Sequence, residues 1–223
     1  NLVNFYQAIR AKPSLVVSTV VDMDRFGVAA RERPERRFIC YMGNMELAKD
    51  NVDNIIRAFS LVAEKYSDLD LHLYGRPNSA DRQVLVDLLA GLGLGERVIF
   101  DAVSYRAVPE ILATATVLVS SQPKTVRAQG GFPTKLGEYL ATGVPVLVTR
   151  VGEIGEQLTD GTHVFFAEPE DPIGYAMKLE YILENYEVAQ SVASAGRQLV
   201  MEKYSNRVQG KRMLDFIEEL CNS

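Results

Sequence analysis

The sequence predicts an α/β domain with a doubly wound parallel sheet and a helical tail. Three observations predict it. Short apolar runs alternate with amphipathic helical patterns along most of the 223 residues, and strands alternating with helices mean βαβ units and a parallel sheet. The apolar runs are continuous rather than alternating, as expected of strands covered by helices on both faces. Beyond Pro172 the pattern turns wholly helical, to about Leu220.

Taken in order, "SLVVSTV" (Ser14 to Val20) reads as a strand, followed by a turn at Asp22 to Gly27. "RFICYMG" (Arg37 to Gly43) is a second strand closed by glycine. Val52, Ile55, Ile56, Phe59, Val62 and Ala63 then fall on one helical stripe. "LDLHLYG" (Leu69 to Gly75) is a strand, a helix follows near Asp81 to Leu92, and "RVIF" (Arg97 to Phe100) is the next strand. Helix "AVPEILATA" and strand "TVLVSS" come after it. The spacing predicts a helix over Thr134 to Thr142, a strand at "PVLVT" and a last short strand at "HVFFA". "GLGLG" (Gly91 to Gly95) follows a helix rather than a strand, so it reads as a helix end and loop, not a dinucleotide fingerprint. Residues 1–12 read as the remnant of an interdomain linker, 13–204 as the domain and 205–223 as a C-terminal helix; the lack of an initiator methionine suggests a fragment.

Composition narrows the function. A net charge of −5 argues against a nucleic-acid partner, and the cluster Arg31, Arg33, Arg36 and Arg37, broken by Glu32 and Glu35, reads as a solvated turn. Two cysteines far apart give no disulfide framework and fit a reducing cytoplasm; Cys40 lies in an apolar run as a small core residue. No run is long enough to span a bilayer, and no signal peptide is visible. The two histidines, His72 and His163, lack metal-ligand spacing, and neither a G-x-S-x-G elbow nor a G-x-x-x-x-G-K-[ST] loop is present.

Doubly wound sheets bind ligands beyond the carboxyl ends of their strands, so the candidates are the residues just after them. Gly43 lets the chain leave the second strand, and Lys49 stands just before the next helix. There it opposes the helix dipole unless it shares an anion with that end; the plainer reading is a solvated lysine. In "GGFPTKLGEYL", Gly130 and Gly131 permit close backbone approach, and Thr134 is a candidate N-cap. The free N–H groups of Lys135, Leu136 and Gly137 then make an anion site, to which Lys135 adds a full charge. Glu138 shares a face with Thr134 and can accept two hydroxyls, as a ribose diol offers; the plainer reading is a glutamate well placed in a first helical turn. "RVGEIGEQLTDG" is a further glycine-bearing loop beyond a strand, with Glu156 opening a short helix.

Together these loops resemble the C-terminal, donor-binding domain of group-1 retaining glycosyltransferases of the two-Rossmann-domain (GT-B) architecture. "VVSTVVDMDRF" resembles the family's entry strand and its Asp-x-x-x-Phe turn at Asp22 and Phe26. "YMGNMELAKDNVDNIIRAF" resembles the Gly-Arg…Lys-Gly segment, and "PTKLGEYLATGVPVLVT" the helix with the second glutamate of the E-x7-E motif. "VGEIGEQLTDG" resembles the Val-Gly-Gly-x-Pro-Glu turn. The chain departs from the pattern at Gly130, where the first glutamate belongs, at Asn44 for the arginine, and at Glu153 and Gly155 in the last turn. A subset of such transferases is similar in having Pro-x-Lys before the glutamate helix, which makes Lys135 a replacement charge.

The resemblance implies a nucleoside diphosphate sugar as co-substrate, no metal, and retaining transfer to an acceptor held by a separate N-terminal domain. It implies Lys49 and Lys135 on the diphosphate and Glu138 on the ribose. Gly43, Asn44, Gly130, Gly131, Phe132, Pro133 and Thr134 then surround phosphate and sugar, and the base rests near Asp101 to Val103. It further implies polysaccharide or glycoconjugate synthesis by a cytoplasmic enzyme, compatible with the inner membrane face, and no transfer by this fragment alone. Two alternatives stay open: a non-catalytic nucleotide-binding relative, and another GT-B enzyme such as a nucleotide-sugar epimerase.

Overall fold

The computed structural model describes residues 2–27, 34–126, 128 and 132–222. Among them six strands form one parallel sheet: β1 (Arg37–Met42), β2 (Leu69–Tyr74), β3 (Val98–Asp101), β4 (Val117–Ser120), β5 (Val146–Thr149) and β6 (Phe165–Ala167). The helices are α1 (Leu2–Ile9), α2 (Leu47–Asp50), α3 (Val52–Val62), α4 (Ser79–Gly91), α5 (Val108–Thr114), α6 (Thr134–Thr142), α7 (Ile154–Gln157), α8 (Pro172–Glu184), α9 (Tyr186–Leu199) and α10 (Asn206–Cys221). A π-helical turn, Val200–Tyr204, joins the last two. The chain is therefore doubly wound and Rossmann-like.

The period of two along each strand sorts side chains onto two cores. Ile39, Tyr41, Val117, Val119, Leu147 and Phe165 face one way, against Ile55, Ile56 and Phe59 of α3 and Tyr175, Leu179 and Ile182 of α8. Phe38, Cys40, Leu118, Val146, Val148 and Phe166 face the other, against Leu112 of α5 and Leu136 and Leu140 of α6. Both faces being covered, β4 and β5 are buried at every position, which is why their sequences are continuously apolar. Each fully buried Leu, Ile or Phe contributes about 1.5–3 kcal/mol. Cys40 is a buried free thiol, and Cys221 an exposed one.

The strand order is β3-β2-β1-β4-β5-β6, so winding reverses between β1 and β4. These two strands pair only through Ile39 with Val117 and Cys40 with Leu118. Beyond that register they part, leaving a crevice at their carboxyl ends.

Three expectations are corrected. Ser14 to Val20 is not a strand: the segment's one ladder contact is at its end, where Val21 bridges Ser205, its N–H donating to Tyr204 O and its C=O accepting from Asn206 N–H. The segment runs across α6 instead of alongside a strand, and Val16 and Val20 stay exposed. Arg36 and Arg37 do not form a solvated turn. They are strapped to the start of β2 by ion pairs of 2.7 Å to Asp70 and 2.6 Å to Asp68; Arg31 and Arg33 lie outside the described residues. Thr134 is not the N-cap of α6. Pro133 holds that position in extended geometry and Thr134 is the first helical residue.

Candidate active site

The crevice between β1 and β4 is wedged by Tyr139 of α6. Its hydroxyl accepts the Met42 N–H (2.7 Å) and donates to Met42 O (3.2 Å), the two backbone groups that β1 loses where β4 departs. A buried tyrosine needs such partners, and here they anchor the start of α6 over the strand ends. Gly137 permits the approach on the outer side: a Cβ there would stand 2.7 Å from Val21 Cγ2. At the neighbouring strand ends, Thr149 Oγ1 accepts from Gln122 N–H and donates to Gln122 O. The Tyr175 hydroxyl reaches both Ser120 O and Leu147 O.

After β1 the chain turns tightly. Gly75 lies so close that a Cβ on it would sit 1.7 Å from Gly43 O. Met45 and Asn51 take left-handed backbone geometry, at φ 56° and 43°, and between them α2 forms a single turn. Lys49 is therefore inside this turn, not in a loop before α3. Asp50, 1% exposed, points inward, where its Oδ1 accepts from Lys135 Nζ at 2.6 Å. The same ammonium donates to the Tyr41 hydroxyl (3.0 Å) and lies 4.4 Å from that ring's centre. A Cβ on Gly43 would come within 2.5 Å of the Tyr41 hydroxyl oxygen and 2.7 Å of Lys135 Nζ. Burial pulls the Lys135 ammonium below the usual lysine range; Asp50 opposes that, and nearby Lys49 adds to it. Burial, then the charge of Asp50, pushes the Tyr41 phenol far above its usual range.

On the other side of α6, Glu138 Oε1 accepts from Arg25 at 3.0 Å. Arg25 lies over the Tyr105 ring, 3.8 Å from its centre, and donates to Tyr105 O. Through Arg25, Glu138, one residue past the first turn of α6 and so not the first-turn glutamate the plainer reading gave, is linked to the loop after β3, where Asp101 to Val103 were expected to meet a base. The N–H of Leu136, expected to be free, donates to Pro133 O (3.0 Å). Helix geometry leaves those of Thr134 and Lys135.

The fold thus brings Gly43 and Lys135 together with Tyr41 and Asp50, with Lys49 in the same turn as Asp50, while Glu138 faces Arg25 on the other side of α6. It does not bring Phe132 there: that ring is buried and stacks on Tyr204, 5.3 Å between centres. Pro133 serves as the cap of α6, and Gly130 and Gly131 lie outside the described residues. Arg25, Tyr41, Asp50, Tyr105 and Tyr139 are additions. Tyr41 and Tyr139 carried a signal, because hydroxyls within apolar patterns require partners; Arg25, Asp50 and Tyr105 carried none beyond nearness to named positions. A second cavity of about 290 Å³, lined by Lys124, Arg150, Gly152 and Glu168 among others, opens beyond β4 to β6.

Comparison with known proteins gives the family and the fold. The family model "Glycosyl transferases group 1" matches residues 24–199. The chain belongs to the group 1 glycosyl transferases. Among curated relatives, N-acetyl-alpha-D-glucosaminyl L-malate synthase of Bacillus anthracis is 25% identical over 80% of the chain and 43% of its own length. Mannosylfructose-phosphate synthase of Agrobacterium fabrum is 26% identical over 90% and 46%. The chain thus spans less than half of either relative. The solved C-terminal domain of the Francisella tularensis group 1 protein LpcC superposes with a TM-score of 0.72 at 20% identity, covering 83% of this chain and 99% of that one. Anabaena HepE, solved in complex with UDP-glucose, gives 0.80 at 17% identity, over 98% and 60%. These likenesses show the shared GT-B fold. No described helix of the chain is long and apolar enough to cross a membrane.

Proposed function

We propose that the crevice holds a nucleoside diphosphate sugar as donor for retaining glycosyl transfer. The observation that carries this reading is Lys135, in the first turn of α6 at the topological switch point, held by Asp50 of the turn that also carries Lys49, with Glu138 on the same helix paired with Arg25 beside the loop after β3. The diphosphate lies across the lysines and the leading N–H groups of α6, the ribose on the free side of Glu138, and the base near Asp101 to Val103. As the glycosidic bond breaks, negative charge grows on the leaving diphosphate. Fixed cations and N–H donors stabilise it without rearrangement. The sugar acceptor is held by a separate N-terminal domain, and the reaction serves polysaccharide or glycoconjugate synthesis in the cytoplasm. That HepE was solved with UDP-glucose makes UDP the first probe to try.

The test is calorimetry with UDP, GDP and dTDP, followed by Lys49→Ala and Lys135→Ala. Each charge-assisted bond contributes about 1.5–3 kcal/mol, so either change should weaken the diphosphate roughly tenfold or more while leaving the bare nucleoside nearly unaffected. Unchanged diphosphate affinity in both variants would refute the assignment. A second reading, nucleotide binding without transfer, draws on Asp50, which neutralises one of the two lysines. Donor turnover by a longer form carrying an acceptor domain separates the two.

A further inference from the structure

Asp50 is a buried carboxylate with an unusual environment. Its Oδ1 is held by Lys135 at 2.6 Å, while its Oδ2 is buried and has no hydrogen-bond partner among the described residues. Such a group is costly to bury, and an ion pair repays the cost only with good geometry. The surrounding backbone is shaped to keep it inside. α2 is a single turn bounded by the left-handed Met45 and Asn51, and Gly43 leaves the space in which Tyr41, Lys135 and Asp50 meet.

We propose that Asp50 is a positioning residue for Lys135, holding its ammonium charged and fixed against the Tyr41 ring so that it meets the diphosphate as a ready cation. The inference rests on the reading that Lys135 contacts the diphosphate. Three groups among the described residues face the ammonium. Asp50 of α2 favours its charge, Lys49 of the same turn disfavours it, and Tyr41 of β1 supplies a hydroxyl and a ring face. Without Asp50, burial and Lys49 both act against the charge, and only Tyr41 remains on its side. Lysine, unlike arginine, loses its proton readily under those conditions. The chain would then hold a neutral amine at neutral to mildly alkaline pH and lose a cation for the ligand. Removing a negative charge from an anion site would thereby weaken anion binding, opposite to what simple charge counting gives.

The experiment measures the affinity of UDP and of GDP, separately, from pH 6.5 to 9. The proteins are the unaltered chain, Asp50→Asn, Lys135→Met, Asp50→Asn/Lys135→Met and Asp50→Asn/Lys135→Arg, each checked for folding by circular dichroism. The unaltered chain should show a shallow profile. Asp50→Asn should bind progressively more weakly as pH rises, losing at least tenfold more than the unaltered chain across the range. Both double variants should return to the shallow profile, because methionine cannot titrate and arginine does not in this range; only the arginine form should keep tight binding. If Asp50→Asn runs parallel to the unaltered chain while Lys135→Met binds weakly, the positioning role is wrong and the lysine assignment stands. If Lys135→Met binds both nucleotides normally, the lysine assignment itself fails. Asp50→Ser makes the same prediction should asparagine not fit, and Asp50→Glu, which keeps the charge, should preserve the shallow profile.

Discussion

Replacing Glu138 by Gln separates a ligand contact from a structural brace. In the structure Glu138 pairs with Arg25 at 3.0 Å, and the two side chains are 32% and 19% exposed. The pair is part-buried, but glutamine gives up only the charge and not the hydrogen bond, a loss of about 1 kcal/mol. Glutamine is nearly as good a helix former and can still accept from Arg25. The unliganded protein should therefore melt within roughly 2–4 °C of the parent, the shift that about 1 kcal/mol produces in a domain of this size. Binding is a larger matter. A charged acceptor for a ribose hydroxyl contributes about 1.5–3 kcal/mol, so UDP should bind roughly 10- to 150-fold more weakly. The variant should also discriminate less between UDP and 2′-deoxy-UDP. Ligand at about a hundred times its dissociation constant stabilises the parent by about 2.7 kcal/mol; at that same concentration the variant should gain clearly less. Thermal melts with and without UDP, with calorimetry on both nucleotides, make the measurement. If Glu138→Gln melts much lower without ligand yet binds UDP normally, the glutamate serves to hold Arg25 over Tyr105, and the ribose assignment is lost.

Two further outcomes follow from the same structure. Gly43→Ala places a methyl group within 2.7 Å of both the Tyr41 hydroxyl oxygen and Lys135 Nζ; because Tyr41 is fully buried, the lysine must yield. Overpacking of this kind costs about 1–3 kcal/mol, so the melting temperature should fall by roughly 2–12 °C and diphosphate affinity should drop with it; a variant that melts and binds like the parent would mean the crevice is looser than drawn. His72 stacks on Phe38 at 4.1 Å, and burial holds its folded pKa below the ordinary 6.5, partly offset by Asp70. The unfolded chain therefore takes up the proton first, so this contribution to stability is full above about pH 6.5 and is lost as pH falls through the folded pKa. His163 is shifted the same way by burial and Lys203. His72→Phe should accordingly reduce, without abolishing, the fall in melting temperature between pH 7 and 5; a fall as steep as the parent's would place the sensitivity elsewhere.

Most of the architecture was legible because it rests on local pattern. The α3 stripe, the continuous apolar runs of β1, β4 and β5, and the bounds of α6 all follow from periodicity and the glycine at 143, which takes the left-handed cap at φ 72°. The segment 14–20 misled because its composition suits a strand, whereas a strand also needs a neighbour, and only Val21 finds one. The site was legible in its positions but not its pairings. Lys135 and Glu138 were visible as charges near the start of a helix that glycines introduce. Their partners lie 85 and 113 residues away in sequence, at Asp50 and Arg25, and no periodic signal relates such distances. Phe132 shows the same limit: a residue beside a candidate loop gave no sign that its ring is spent on Tyr204.

Those pairings change how the crevice must work. Of its cations, Lys135 is matched by Asp50 and Arg25 by Glu138, while Lys49 forms no ion pair with a described residue. If the proposed reading holds, a diphosphate would not meet a pool of loose positive charge. It would meet one unmatched lysine, one lysine fixed by a buried carboxylate, and the leading N–H groups of α6, a helix anchored to β1 through Tyr139. In such a site the pairing is made during folding, and little remains to be ordered when the ligand arrives. The same fixity suits a leaving group whose charge grows during reaction, because donors already in place need not reorganise at that moment. The cost lies in the fold: a carboxylate with a buried, unpartnered oxygen, two non-glycine residues in left-handed geometry, and a glycine that admits no methyl group. These features converge on residues 41–51 and on Lys135, at the point where the sheet reverses its winding, and that convergence is the argument for reading the crevice as a site and not merely a gap between strands.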